Sequence, residues 1–133
     1  MKICDLETGC SVADRIGPDD ISQIAEAGFH VIVCNLPDGE IDGQPAFATI
    51  EAEAAKFGIR CVYLPVADVI GTTEVERQFA ALMAAGPKPV LAYYRTGRRS
   101  AVMWARHHAR TGAGFDIPAR AQSFGFDVSA HLD

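Results

Sequence analysis

The stretch from Pro89 to Ala105 reads PVLAYYRTGRRSAVMWA. Its opening run, PVLAY (89–93), is apolar and is typical of a strand buried on both faces of a parallel sheet. From residue 100 onward, small and apolar side chains recur at helical spacing, which predicts a helix over 100–109. The polar turn YRTGRRS (94–100) joins the two. A strand that passes through a short turn into a helix is the repeating unit of α/β folds.

The same unit recurs upstream of this stretch. Two further apolar runs, FHVIVCN (29–35) and RCVYLP (60–65), predict buried parallel strands. A weaker strand is predicted over 11–16, where Val12 and Ile16 would share a face. Helical stripes separate these runs, and two short helices are predicted near the C-terminus. The predicted helices span 21–28, 47–57, 75–83 (entered by Thr72 or Thr73), 117–124 and 128–132, the last two capped by Asp116 and Asp127.

This alternation predicts the fold class. Strands and helices in turn along the chain build a mainly parallel sheet through right-handed crossovers. We therefore expect an α/β fold, a single three-layer domain over residues 1–133, with a four- or five-stranded sheet and helices on both faces. A chain of 133 residues is long enough to bury such a core without disulfide or metal staples.

Composition narrows the classes of function. The net charge of -5, with 49% hydrophobic and 22% charged residues, is ordinary for a globular domain and argues against a nucleic-acid or anionic-membrane surface. No apolar run approaches the roughly twenty residues of a membrane span, and no signal-peptide pattern opens the chain. We expect a cytoplasmic protein with neither nucleic-acid nor membrane partners.

The cysteines and histidines do not form a metal pattern. No two cysteines have C-x-x-C spacing, and the adjacent His107 and His108 lack ligand spacing. We expect reduced, buried thiols, no metal and no cofactor. The four cysteines are Cys4, Cys10, Cys34 and Cys61.

The turn 94–100 has the features of an anion site. Gly97 is free to adopt a positive φ, and successive amides at a helix N-terminus can surround a tetrahedral oxyanion. Arginine offers two parallel donors to such an anion, whereas arginines in a structural first turn would oppose the helix dipole. A phosphate- or sulfate-type ligand is therefore predicted. The predicted anion-binding residues are Arg95, Thr96, Gly97, Arg98, Arg99 and Ser100.

Three segments carry a family resemblance. The segment IVCNLPDGEIDGQ (32–44), the stretch PVLAYYRTGRRSAVMWA and the ending from GFD (114–116) to GFD (125–127) resemble the bacterial beta-lactamase-hydrolase-like, phosphatase-like domain family. That family is related to dual-specificity cysteine phosphatases and rhodanese sulfurtransferases. The resemblance implies a cysteine-phosphatase-like fold and an active loop at 94–100.

The chain departs from the family at the nucleophile. Family members usually have a cysteine at the position of Tyr94 and an arginine at the position of Arg99. A phenol with an ordinary pKa of about 10 is a poor substitute for a thiolate, and aligning Tyr93 instead finds no cysteine either. Leu36 also stands where the family often has an arginine. These departures leave anion binding better supported than turnover.

Five further candidate residues lie outside this loop. Asp68 is at the position of a general acid, although a loop aspartate is more often a solvated or capping residue. Asp38 and Glu40 are expected to hydrogen-bond Arg95 or Arg99 and to hold the loop. Cys34 is expected to be an inert buried thiol, and Trp104 a core residue.

Three functional hypotheses follow from the sequence. The first is an oxyanion-binding, phosphatase-like domain impaired in catalysis, with Tyr94, Arg99 and Asp68 at the catalytic positions. The second is an active phosphatase or sulfurtransferase in a natural or cysteine-containing form. The third is a non-catalytic domain whose arginines contact an acidic protein partner.

Overall fold

The computed structural model describes residues 1–68 and 70–132. Within them, five strands form one sheet in the order β1-β2-β5-β3-β4. Strands β2 to β5 are parallel to their neighbours, and β1 is antiparallel to β2. The central strand is therefore β5, whose carboxyl end leads into the turn 94–100. The strands are β1 (Ile3–Glu7), β2 (Cys10–Ala13), β3 (Val31–Cys34), β4 (Arg60–Tyr63) and β5 (Val90–Tyr93).

The helices cover both faces of this sheet. They are α1 (Ile21–Glu26), α2 (Phe47–Ala55), α3 (Thr73–Ala85), α4 (Arg98–Thr111) and α5 (Ile117–Gln122), with short 3₁₀ turns at Pro18–Asp20 and Ser129–His131. Among the helices of the described residues, none has the length and apolar character that crossing a membrane requires.

The sheet separates two hydrophobic cores, one on each face, because successive side chains of a strand alternate between the faces. Val33 packs with Phe79 of α3 and Trp104 of α4 on one face. The preceding strand residue, Ile32, packs with Ile50 of α2 on the other face. Successive side chains of a strand point to opposite faces, so a wholly apolar strand needs a helical layer on each side. The predicted three-layer α/β architecture is confirmed.

Two predicted helix starts are also confirmed. The Thr72 hydroxyl accepts a hydrogen bond from the amide of Val75 at 3.2 Å, and a carboxylate oxygen of Asp116 accepts one from Ala119 at 3.0 Å. Each cap satisfies an amide that the first helical turn leaves unpaired.

The N-terminal hairpin differs from the sequence prediction. The predicted strand over 11–16 is wrong in its bounds, because β2 ends at Ala13 and Ile16 is buried in the following loop. Strand β1 was not predicted at all. It is an edge strand that buries only Cys4 and Leu6 fully, and charged residues interrupt its apolar pattern.

A polar contact fixes this hairpin to α4. The indole Nε1 of Trp104 donates to Glu7 at 3.0 Å, and the Nε2 atom of His108 lies 2.6 Å from the same carboxylate oxygen. The Trp104 ring stacks on Phe115 with a centroid distance of 5.8 Å and is fully buried. The helix that begins at the turn is therefore held against the sheet along its length.

Candidate functional site

The turn 94–100 leaves the central strand beside the end of β2. The Tyr94 amide donates to the carbonyl of Ala13 at 3.2 Å, and the Arg95 carbonyl accepts from the amide of Arg15 at 3.2 Å. These two bonds extend the sheet pairing into the turn. They set the direction in which the backbone enters α4.

Gly97 makes the turn possible. It lies at the N-cap of α4 with φ of 86°, in the left-handed region that residues with a Cβ rarely adopt. A Cβ at this position would also lie 3.2 Å from Cζ of Phe126 and 3.3 Å from the Ala13 carbonyl oxygen. Both the dihedral angle and the close packing require glycine.

Replacing Gly97 by alanine is expected to destabilise the domain by about 2–3 kcal/mol, because backbone strain and crowding add. Urea unfolding measures this cost. The control is Gly58→Ala, which has a similar φ of 73° but nothing within 4 Å of the new Cβ. Equal losses in the two variants would show that the crowding around Gly97 contributes nothing.

The first turn of α4 has amides without helical partners. The first helical hydrogen bond runs from Ala101 to the carbonyl of Gly97, so the amides of 98–100 lie outside the helical ladder. The Arg98 amide donates to Oγ1 of Thr96 at 3.2 Å. Such a helix start attracts negative charge through its amides and its dipole.

Five residues of the predicted loop line a depression of about 440 Å³, whereas Gly97 and Ser100 are buried. The lining residues are Tyr94, Arg95, Thr96, Arg98 and Arg99. Arg95, Thr96 and Arg98 are exposed, whereas Arg99 is partly buried. Three guanidinium groups thus border a surface depression on an otherwise acidic chain.

Arg99 is held in place by one of its two terminal nitrogens. Its Nη1 donates to the Val66 carbonyl at 2.9 Å and to a carboxylate oxygen of Glu40 at 3.2 Å. The guanidinium lies over the Tyr94 ring, 4.6 Å from the centroid. Within the described residues, Nε and Nη2 have no hydrogen-bond partner. That edge of the guanidinium has the two parallel donors that an oxyanion accepts.

Tyr94 forms the floor of the depression. It is 2% exposed, and its hydroxyl donates to Glu40 at 3.0 Å. Burial raises the pKa of the Tyr94 phenol, the hydrogen bond to Glu40 raises it further, and Arg99 opposes both effects. The hydroxyl is therefore protonated at neutral pH, and it donates its hydrogen bond to Glu40.

Tyr93, which takes the nucleophile position in the alternative alignment, does not line the depression. It ends β5 and packs in the core that faces α1 and α2. Burial raises its pKa even more strongly than that of Tyr94. Tyr94 is thus the residue at which the strand becomes the loop.

A buried polar network that sequence reasoning missed supports the turn. The Ser100 hydroxyl donates to Oδ1 of Asn35 at 2.7 Å, and Nδ2 of Asn35 donates to the Leu64 carbonyl at 2.8 Å. Both side chains are fully buried. The ends of β3, β4 and β5 are therefore linked through Asn35. The only sequence signal was a polar residue that closes an apolar strand run.

The remaining candidates lie around the same sheet edge. Glu40 holds Arg99 as expected. Among the described residues, Asp38 has no bond to an arginine and instead accepts from the amide of Phe47 at 2.8 Å, at the start of α2. Asp68 is exposed in the loop that supplies the Val66 carbonyl to Arg99. Cys34 is 2% exposed, and burial raises the pKa of its thiol to about 11. The thiol is buried, as expected, and its raised pKa disfavours the reactive thiolate.

A central parallel strand, a glycine-turned loop and a helix start that carries arginines define a phosphatase-like α/β domain. The family model described as "Beta-lactamase hydrolase-like protein, phosphatase-like domain" matches residues 4–111, and the chain belongs to that family. The chain is 28% identical over 133 residues to a Beta-lactamase hydrolase-like protein of Xylella fastidiosa. That match covers 96% of this chain and 30% of the relative, so the chain spans about a third of its relative's length.

Solved structures share the fold. A phosphatase-like protein from Neisseria meningitidis matches with a TM-score of 0.84 and 32% identity over 98% of this chain and 93% of that one. The core catalytic domain of the PP-IP phosphatase SIW14 from S. cerevisiae, in complex with citrate, matches with a TM-score of 0.69 over 95% of this chain and 76% of that one. At 11% identity, the second likeness concerns the fold alone.

Proposed function

We propose that this domain binds a phosphate- or sulfate-type oxyanion in the loop 94–100 and that it does not turn the ligand over, because Tyr94 replaces the nucleophilic cysteine. The observation that carries the proposal is the Arg99 guanidinium, which lines the depression and is fixed by Nη1, while Nε and Nη2 have no hydrogen-bond partner among the described residues. A donor pair that is already oriented loses little conformational freedom when an anion binds.

The surroundings of Arg99 support an anionic ligand. The exposed Arg95 and Arg98 add positive charge at the rim, and the first amides of α4 add oriented donors. The citrate bound to SIW14 is a small anion on the same fold, which is consistent with this proposal.

The chemistry of Tyr94 supports the loss of turnover. Nucleophilic catalysis needs a group that is deprotonated or next to a base that takes its proton. The phenol of Tyr94 has a raised pKa, and its ring is stacked under Arg99. The Tyr94 hydroxyl already donates to Glu40, and the residue is 2% exposed, which disfavours attack by the phenol oxygen on a ligand.

Arg99→Gln is expected to weaken phosphate binding by on the order of tenfold, because a hydrogen bond to a charged group contributes about 1.5–3 kcal/mol. Isothermal titration of the purified chain with sodium phosphate measures the affinity. Arg77→Gln is the matched control, since Arg77 pairs with Glu74 on the exposed surface of α3. Equal affinities for the wild type and both variants would contradict the proposed site.

Hydrolysis is tested on the same samples. The wild type is expected to release phosphate from p-nitrophenyl phosphate no faster than buffer alone. Sustained turnover that Tyr94→Phe abolishes would contradict the claim that catalysis is impaired.

A further inference from the structure

The Glu40 carboxylate bonds two residues that line the depression, without lining it itself. Its Oε1 accepts both from the Tyr94 hydroxyl at 3.0 Å and from Nη1 of Arg99 at 3.2 Å. Tyr94 and Arg99 both line the depression. An anion that takes the free edge of Arg99 therefore shares that guanidinium with a fixed negative charge.

The position of this carboxylate is set by the fold. Glu40 follows β3 in the loop 35–46, and that loop is tied at its start by Asn35 and at its end by the bond from Phe47 to Asp38. The side chain is 29% exposed, so bulk water screens its charge only in part. Its two bonds in the described structure both fall on Oε1, which leaves Oε2 able to accept another.

An ionised carboxylate only accepts hydrogen bonds, so it distinguishes oxyanions by their protons. Inorganic phosphate keeps at least one proton at neutral pH and can donate it to a carboxylate oxygen. Sulfate has lost both protons, so it meets the carboxylate only as a like charge. Juxtaposed like charges are a common means of rejecting a competing ligand.

We propose that Glu40 is the specificity-determining residue of the loop: it admits an oxyanion that retains a proton, such as hydrogen phosphate, and rejects a fully ionised one, such as sulfate. This inference rests on the proposed function, because it assigns the selectivity of the same site. It distinguishes phosphate-type from sulfate-type oxyanions, which the arginines and amides of the loop would bind equally well.

The experiment compares sodium phosphate with sodium sulfate at pH 7 and matched ionic strength. For the wild type, we expect phosphate to bind at least about tenfold more tightly than sulfate, because one anion gains a charged hydrogen bond and the other meets repulsion. In Glu40→Gln, the ratio of the two dissociation constants is expected to fall to about one to three, mainly through tighter sulfate binding.

Asp42→Asn is the matched control. Asp42 is exposed in the same loop and makes no contact with Tyr94 or Arg99 among the described residues. The Asp42→Asn substitution removes the same charge as Glu40→Gln, so any general electrostatic effect appears in both variants. The ratio of the sulfate and phosphate dissociation constants should change only in Glu40→Gln. Thermal unfolding checks that both variants are folded, and the wild-type ratio is informative without either of them.

The outcomes separate this inference from the proposed function. Equal binding of phosphate and sulfate by the wild type overturns the role of Glu40 but leaves an anion site in place. A preference for phosphate that persists in Glu40→Gln, or that is lost equally in Asp42→Asn, also overturns it. If neither anion binds to the wild type or to Glu40→Gln, the proposed function itself fails.

Discussion

Tyr94→Cys is expected to release phosphate from p-nitrophenyl phosphate on the order of a hundredfold faster than the wild type, because the substitution restores a nucleophile at the end of the central strand. Loop amides, the N-terminus of α4 and Arg99 would all stabilise a thiolate at that position. The smaller side chain also opens the floor of the depression that the tyrosine ring fills.

Two controls make this result specific. Tyr94→Ser opens the same space but supplies a hydroxyl with no lowered pKa, so it should stay at background. The double variant Tyr94→Cys with Arg99→Gln should lose most of the gained rate, because the anion is no longer oriented. A thiosulfate-to-cyanide assay on Tyr94→Cys then separates phosphatase from sulfurtransferase chemistry. A folded Tyr94→Cys protein that binds phosphate but is inactive in both assays would contradict the explanation that only the nucleophile is missing.

Trp104→Ala is expected to cost about 3–5 kcal/mol of the free energy of unfolding, the typical loss for a large buried aromatic side chain. The residue is fully buried, stacks on Phe115 and donates to Glu7, so its removal leaves a cavity and a partly buried carboxylate with fewer partners. Urea unfolding followed by circular dichroism measures the loss without relying on tryptophan fluorescence.

The matched control is Phe57→Ala. Phe57 is an aromatic residue that is 45% exposed, and a substitution there is expected to change stability by about 0.5 kcal/mol or less. Trp104→Phe keeps most of the apolar volume and should lose only the bond to Glu7, about 1 kcal/mol. If Trp104→Ala costs no more than Phe57→Ala, the helix that carries the loop is not anchored as described.

The sequence predicted the parts of the fold whose pattern is local. The runs before Asn35 and Tyr94 are apolar throughout, and such runs indicate strands covered on both faces. Strand β1 escaped prediction because its burial depends on pairing with β2 and on Trp104, which contacts Glu7 from far along the chain. Local periodicity contains no information on such a contact.

The candidate site also contains residues that the sequence predicted and residues that it did not. The residue types at 94–100 made the turn recognisable, and Glu40 was expected to hold an arginine, which the contact with Arg99 confirms. The sequence did not distinguish it from Asp38, because a choice between neighbouring carboxylates depends on the path of the loop. The role of Asn35 was also hidden, since its partners Leu64 and Ser100 are brought close only by the sheet.

The central claim is that the loop 94–100 holds an oxyanion, and its most direct test is a phosphate titration of the uniformly ¹⁵N-labelled wild-type chain followed by NMR. The account predicts saturable shifts concentrated at the backbone amides of 95–100, where the loop enters the first turn of α4. An absence of saturable shifts, or shifts centred on another part of the chain, would contradict it.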